Sequence, residues 1–347
     1  MSSVTIDAGA LAVPLHKVSA EVARKYVRAV LGWSRLIDCP WIEVNMSENS
    51  SQALVCDKHF PFYPQLKDLI THTGIEDFDA NTVNTVVLKL LDQSMPSFEK
   101  YFGVSDVLYE DLYASPDVLS PSLGNTLRSN LSRCLLLTAI LRKYGGESTR
   151  SHAFVLSHAP SLVVDLRAVI YEIEHDRNYL ESFPVQPEVF EGEALICDDF
   201  RGLIQCLDER SILAGSKDEF SLEAAIRIAL FKSRLERGGQ PEWDTLPSFR
   251  IGRHFLDTAV VACKTDSTLT DKVLKAIVEA LDGLNKRKAH RIRTGPGGSD
   301  PPRMRGSDHA MRRDIDREYH LHYWSCENDF VELAVVSYPH DNYEIPD

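Results

Sequence analysis

The sequence lacks the short motifs that mark several common enzyme classes. It contains no P-loop, no GxGxxG, no GxSxG and no HExxH. Nucleotide hydrolysis, dinucleotide chemistry, serine hydrolysis and zinc proteolysis therefore have no support from motifs. The seven cysteines show no CxxC or CxH spacing and their number is odd, which favours reduced thiols in a cytosolic protein over disulfides or a zinc site. No cofactor is expected.

Long apolar runs are also missing. No segment approaches the length needed to cross a bilayer, and the N-terminus has no basic and then apolar signal pattern. We therefore expect a cytoplasmic protein without a membrane partner.

Charge is unevenly distributed along the chain. The formal net charge is -13, but residues 283 to 325 carry ten Lys and Arg against five Asp and Glu, a local +5, so the rest carries -13 - 5 = -18. A basic C-terminal segment on an acidic body favours a local polyanion site. The alternative is that these arginines form a solvated loop with internal acidic partners.

The pattern of elements predicts an α+β fold in two domains, because 347 residues exceed the usual size of one core. Residues 1–240 are predicted as a mainly helical domain with a small sheet, in which residues 123 to 144 form the strongest helix. Ser19 is predicted to cap a helix with apolar residues at helical spacing, and a strand at residues 41–44 and a helix from about residue 81 to 93 are also predicted. Gly238 to Glu242 is predicted as the linker. Residues 248–347 are predicted as helices packed on an antiparallel sheet.

Polar residues also cluster around two predicted strands in the first domain, His152 to His158 and Leu162 to Glu174, which we predict to form a hairpin. Their spacing matches no metal or catalytic motif, so we expect these polar side chains to lie at the protein surface. Its members are Arg150, His152, His158, Asp165, Glu172, Glu174 and His175.

The most informative stretch is the C-terminal one, where a basic loop leads into two predicted strands. Tyr319, Leu321 and Tyr323 alternate with His320, His322 and Trp324. Side chains in a strand repeat every two residues, so the first set is predicted to face the core and the second to face a site. Phe330 to Ser337 is predicted as the partner strand, after a loop of hairpin length.

These residues resemble the RelE/YoeB-like bacterial ribonuclease toxins, small barnase-like domains that cut RNA without metal. The resemblance is carried by Arg305-Gly306, Arg312-Arg313-Asp314-Ile315-Asp316 and Glu318-Tyr319-His320-Leu321-His322-Tyr323, with His340 where the family has a terminal His. It covers roughly residues 248 to 347. It implies a metal-independent endoribonuclease, a bacterial toxin or antiphage effector, that cleaves RNA by 2'-hydroxyl attack, with the ribosome as an expected partner.

Two departures from the family pattern support an alternative. His320 stands where YoeB-like members carry a catalytic arginine, and Pro302 stands where some members place a carboxylate. The alternative is a catalytically inactive binding subunit that has the RelE fold and belongs to a bacterial defence or regulatory complex. In either case the first domain is expected to regulate or bind a partner, for example an antitoxin or a complex subunit.

Metal-free RNA cleavage needs proton transfer and positive charge beside the phosphate. Histidines titrate near neutrality and guanidinium groups match phosphate oxygens. The candidate catalytic residues are His320, Arg313, Arg305 and His340. The candidate RNA-binding residues are Arg303, Arg312, His322, Trp324 and Tyr343.

Each candidate also has a structural alternative. Arg312 and Arg313 have Asp314 and Asp316 as neighbours for ion pairs, and Trp324 suits a core position. His320 and His322 form a His-x-His pair, so a metal-dependent nuclease is a third reading. A third ligand would then come from His309, Asp308 or His340.

Overall fold

The computed structural model describes residues 2–14, 18–93, 97–119, 124–145, 149, 152–156, 162–176, 183, 187–265, 267–295, 299–338 and 344–346. Two compact units divide the chain, Ser2–Leu207 and Asp208–Asp347. Both combine helices with a sheet. No helix in the described ranges is both long and apolar enough to span a membrane.

The first unit is built on a six-stranded mixed sheet, larger than the small sheet predicted. Its strands are β1 (Ser2–Ile6), β2 (Ile42–Asn45), β3 (Val104–Ser115), β4 (Ala153–Val155), β5 (Leu162–His175) and β6 (Glu188–Cys197). Their order is β2-β1-β4-β6-β5-β3. The first four strands in this order are parallel, and β5 and β3 are antiparallel to their neighbours.

Eight helices of the first unit are described. They are α1 (Ala8–Leu11), α2 (Ala20–Trp33), α3 (Ser50–Cys56), α4 (Tyr63–Thr73), α5 (Ala80–Gln93), α6 (Phe98–Phe102), α7 (Asn125–Tyr144) and α8 (Phe200–Cys206). The hydroxyl of Ser19 caps α2 by accepting from the Val22 amide. Asp57 accepts from the Leu127 amide in the first turn of α7, 2.7 Å away. The leucine-rich face of α7 lies in the core with β5 and β6.

Local patterns predicted α2, β2, α5, α7 and β5 correctly, but two predictions for the first unit are wrong. Strands β4 and β5 do not form a hairpin, because β6 lies between them in the sheet. His152 is not at the surface: it is 1% exposed, between the hydroxyls of Ser3 and Thr5. Arg150 and His158 lie outside the described residues.

The second unit contains a second six-stranded sheet. Its strands are β7 (Phe249–Ile251), β8 (Ala289–Arg291), β9 (Met304–Arg305), β10 (Asp308–Asp314), β11 (His320–Ser325) and β12 (Val331–Ser337). The order is β7-β12-β11-β10-β8, with β9 also paired to β10. Only the β7–β12 pairing among these is parallel. The predicted β11–β12 hairpin is confirmed, and part of the predicted basic loop is strand β10.

The described helices of the second unit are α9 (Glu209–Gly215), α10 (Glu219–Glu236), α11 (Phe255–Thr265) and α12 (Ser267–Leu281). Helices α9 and α10 contact α11 or α12, and α11 and α12 contact β12. The division of the chain therefore falls at Leu207 and Asp208, so residues 238–242, predicted as the linker, lie inside the second unit.

Candidate nucleic-acid interface

One face of β11 carries His320, His322 and Trp324, as the alternation predicted, but this face is buried. Nδ1–H of His322 donates to the Glu344 carbonyl at 2.8 Å, and Nε1–H of Trp324 donates to the Pro346 carbonyl at 3.0 Å. Ile345 packs in a cluster with Trp324. Residues 344–346, here called the C-terminal strap, therefore cover the face that was predicted to hold an open site.

Burial also controls the protonation of His322. Loss of hydration lowers its pKa to about 4, and electrostatic interactions with His320 and Arg312 act in the same direction. Because a carbonyl only accepts, Nδ1 carries the proton, which leaves Nε2 with a lone pair and no hydrogen-bond partner in the described part of the chain. His322 is therefore a neutral imidazole at neutral pH and not a bound cation for phosphate.

Arg313, a predicted catalytic residue, lies on the other face of the sheet, toward α12. It is 1% exposed. Its Nη1 lies 2.9 Å from Oε2 of Glu279, and its Nη2 donates to the Leu284 carbonyl at 2.7 Å. Arg313 thus fixes the turn that follows α12 against β10. It does not face solvent.

Arg305 is held by acidic neighbours. Its two Nη atoms lie 2.9 and 3.0 Å from the two carboxylate oxygens of Glu332, and Nη2 also lies 3.1 Å from Asp308. The guanidinium carbon is 4.6 Å from the centroid of the Trp324 ring. Hydrogen bonding to Arg305 lowers the pKa of Glu332, which keeps that carboxylate charged. The positive charge of Arg305 is therefore compensated within the protein.

Asp314 is the residue around which the remaining candidates gather. Its carboxylate oxygens lie 3.9 Å from Nε of Arg312, Nε2 of His320 and Nε2 of His290. His320 is 2% exposed, and its Nδ1–H donates to the Tyr319 carbonyl at 2.7 Å. Two predicted site residues, Arg312 and His320, are thus brought together by one carboxylate.

Arg303 lies apart from that group, beside β8. Its backbone amide donates to the Ile292 carbonyl at 2.8 Å, and the residue is partly exposed. His340 and Tyr343 lie outside the described residues. Within the described ranges, no three His, Cys, Asp or Glu residues are arranged to hold a metal ion.

A dense basic run of the second unit was not among the residues predicted for the site. Residues 286 to 293 read KRKAHRIR, five Lys and Arg without an acidic residue. They fold as a 3-10 turn, Lys286–Lys288, followed by β8, which is an outer strand of the sheet. The count of charged residues located the basic segment. Only the sheet order shows that this run leads into the strand at the edge of the second sheet.

Six residues of this run are exposed. His290 lies 3.9 Å from Asp314, and Arg293 donates to the Asp300 carbonyl. The other four form no ion pair with a described residue and are here called the basic edge: Lys286, Arg287, Lys288 and Arg291. The turn before them is fixed from both sides. Asn285, with a left-handed φ of 45°, donates from Nδ2 to Glu279 at 2.6 Å, while Arg313 holds the Leu284 carbonyl. The basic edge therefore starts from a rigid point.

The first unit contains a buried polar network that the sequence did not reveal. Ser47 Oγ lies 2.8 Å from Glu99 and 2.9 Å from Asn130, and Arg133 contacts both Glu99 and Ser47. The network joins the segment after β2 to α6 and α7. Because each member has a polar partner, it supports a structural role.

Comparison with known proteins adds no assignment to this geometry: no protein-family model, no curated protein and no solved structure matches the chain.

Proposed function

We propose that residues 208–347 form an RNA-binding module whose contact surface is the basic edge. The observation that carries the proposal is the row of four exposed Lys and Arg side chains without ion-pair partners in the described ranges, on a chain of net charge -13. On such a chain, a group of unpaired cations in a turn and in the outer strand that follows it suits the phosphate backbone of a nucleic acid. RNA is favoured over DNA by the RelE/YoeB-like sequence pattern.

The proposal takes the binding-subunit form of the resemblance. Three observations support it: Arg313 is buried against Glu279, Arg305 is paired with Glu332, and His322 is covered by the C-terminal strap. None of these groups is presented to a phosphate. From residue 249 the element order is a strand, two helices and then antiparallel strands, which suits the helices packed on an antiparallel sheet that were predicted for residues 248–347. In this proposal the protein belongs to a defence or regulatory complex, and the residues before Asp208 bind the partner.

The basic edge is tested by charge removal. We expect Lys286→Gln, Arg287→Gln, Lys288→Gln and Arg291→Gln, combined, to weaken binding of a single-stranded RNA. For four phosphate contacts, the slope of log K against log salt should decrease by about 3, and affinity at 0.15 M salt should fall on the order of 100-fold. Fluorescence anisotropy over a salt series, with the full chain, measures both.

A matched control removes the same charge elsewhere in the second unit. Lys217, Arg253, Lys264 and Lys275 are also exposed, and their combined change to Gln should leave the salt slope close to the wild-type value. If both variants lost RNA affinity equally, the loss would be due to the change in net charge, and the basic edge would be rejected as a site. Equal binding of single-stranded DNA and RNA would reject the choice of RNA.

Endoribonuclease activity is the second candidate, because Asp314 gathers Arg312, His320 and the half-exposed His290 at one end of β10 and β11. We expect the purified protein to bind RNA without cutting it. Incubation with total and ribosome-bound RNA, with and without EDTA, tests this. Cuts that survive EDTA, carry 2',3'-cyclic phosphate ends and disappear in His320→Ala would establish the ribonuclease in place of the binding subunit.

A further inference from the structure

A cleft with a volume of about 420 Å³ lies in the second unit, where α10 ends. It is lined by Arg234, Arg237, Gly239, Gln240, Pro241 and Asp282. The two arginines are on the last turn of α10 and just after it, and Asp282 directly follows α12. Gly239, Gln240 and Pro241 belong to the segment predicted as the domain linker. They thus form one wall of the cleft.

Asp282 holds both guanidinium groups in the cleft. Nε and Nη2 of Arg234 lie 3.0 and 2.7 Å from Oδ1, and Nη2 of Arg237 donates to Oδ2. Nε of Arg237 also donates to the Ser233 carbonyl at 3.1 Å. The Asp282 side chain is 4% exposed, whereas those of Arg234 and Arg237 are 31% and 41% exposed. A buried carboxylate therefore orients two partly exposed cations.

These bonds leave one nitrogen of each fork unused. Nη1 of Arg234 and Nη1 of Arg237 have no hydrogen-bond partner among the described residues. Two guanidinium groups and one carboxylate give the cleft a net charge of +1. A bound monoanion with two acceptor oxygens would neutralise this charge and accept from both Nη1 groups.

The position of the cleft indicates which monoanion binds there. Asp282 precedes Lys286 by four residues, so their Cα atoms are at most about 14 Å apart. This is the span of a few nucleotides, and a strand bound at the basic edge can therefore reach the cleft. A phosphodiester carries one charge on two non-bridging oxygens, which matches the charge and donors of the cleft.

We infer that the cleft between Arg234, Arg237 and Asp282 binds one phosphodiester group. That this phosphodiester belongs to an RNA strand rests on the proposed function. Binding of a phosphodiester by the cleft does not depend on it. Arg234 and Arg237 each donate from Nη1 to one non-bridging oxygen, and Asp282 keeps the two forks in place. The basic edge and the cleft then form two parts of one binding surface.

Dimethyl phosphate, a monoanionic phosphodiester, is the direct probe. With the full chain labelled at arginine nitrogen, we expect the Nε–Hε signals of Arg234 and Arg237 to shift on titration with dimethyl phosphate. Acetate, a monoanion of different shape, should shift them less. Absence of any shift with dimethyl phosphate would overturn the inference whatever the protein does with RNA. A larger response to acetate would also overturn it and indicate a carboxylate ligand.

Arg237→Lys tests the contribution to RNA binding. Lysine keeps a positive charge beside Asp282 but has a single nitrogen in place of the fork. It cannot donate to Asp282 and to the phosphate from two separate nitrogens, so we expect about tenfold weaker RNA binding with an unchanged salt slope. A merely structural role would lower the melting temperature and leave affinity unchanged, which would contradict the inference. If wild-type protein binds no RNA but dimethyl phosphate still shifts both arginine signals, the proposed function fails and the phosphodiester site stands.

Discussion

Arg313→Met is expected to lower the free energy of unfolding of the second unit by about 3–5 kcal/mol, the cost of leaving a buried charge without its partner. The partner is Glu279, which is 6% exposed and lies 2.9 Å from Nη1 of Arg313. The substitution also removes the donor to the Leu284 carbonyl. Urea unfolding followed by circular dichroism measures the change.

Two further variants make this test specific. Arg313→Met with Glu279→Leu removes both charges and should recover most of the lost stability, since paired buried charges are often replaceable by apolar groups. Arg317→Met, at an exposed position, should change stability by less than about 0.5 kcal/mol. Wild-type stability in Arg313→Met would contradict this expectation. If the wild-type protein cut RNA and Arg313→Met did not, Arg313 would return to the catalytic role that the sequence suggested.

The second large effect concerns pH and two buried groups of the first unit. Burial raises the pKa of Asp7 to about 7 from an ordinary 3.8, and burial lowers the pKa of His152 to about 3 from 6.5. Between about pH 4 and 7, the folded unit keeps a proton on Asp7 that the unfolded chain releases. Between about pH 3 and 6.5, the unfolded chain binds a proton on His152 that the folded unit does not bind.

The two groups act on stability in opposite directions. As pH rises from about 4 to 6.5, Asp7 removes about 1.4 kcal/mol per pH unit from the free energy of unfolding, and His152 adds about the same amount. Over their full ranges the contributions are about 4 and 5 kcal/mol. Their sum in the wild-type protein is therefore nearly independent of pH in this interval.

Single substitutions should expose each slope. We expect the stability of Asp7→Asn relative to wild type to rise with pH between about 4 and 6.5, by about 3 kcal/mol in total, and that of His152→Gln to fall by a similar amount. Chemical unfolding of the full chain at four pH values measures both differences. Glu76→Gln, at an exposed position, reports the effect of the amide substitution itself. Parallel pH profiles for wild type and both variants would contradict the expectation.

The sequence predicted best those elements whose signals are local. Helix α2 has a capping Ser19 and apolar residues at helical spacing, and both appear in the structure as expected. Strand β11 alternates as predicted, with His320 and His322 on one face. A cap and a period of two are properties of a few neighbouring residues, so a single sequence contains them in full.

Features set by distant residues could not be predicted in this way. Strand β6 separates β4 from β5 although it follows both in the chain, and no spacing between His152 and Glu174 records this. The burial of His322 depends on Glu344, 22 residues away, in a segment too short to show a period. The predicted open face is closed for this reason.

The candidate site shows the same division. The count of Lys and Arg located a basic segment, but the neutralisation of Arg305 by Glu332 and the burial of Arg313 against Glu279 depend on tertiary pairing. Lys286 to Arg291 belong to the basic segment predicted to bind a polyanion, but none was named as a site residue, because they match no family motif. Their placement, in a turn and in the outer strand that follows it, became visible only with the sheet order.

The C-terminal strap also acts as a competitor. Five residues separate Tyr338 from Glu344, and so short a tether gives the strap an effective concentration on the order of millimolar or more at the β11 face. A peptide or nucleotide that bound there would have to displace the two carbonyl contacts to His322 and Trp324. Access to the imidazole of His322 therefore requires a ligand that binds this face more strongly than the tethered strap does, or a modification that releases the strap.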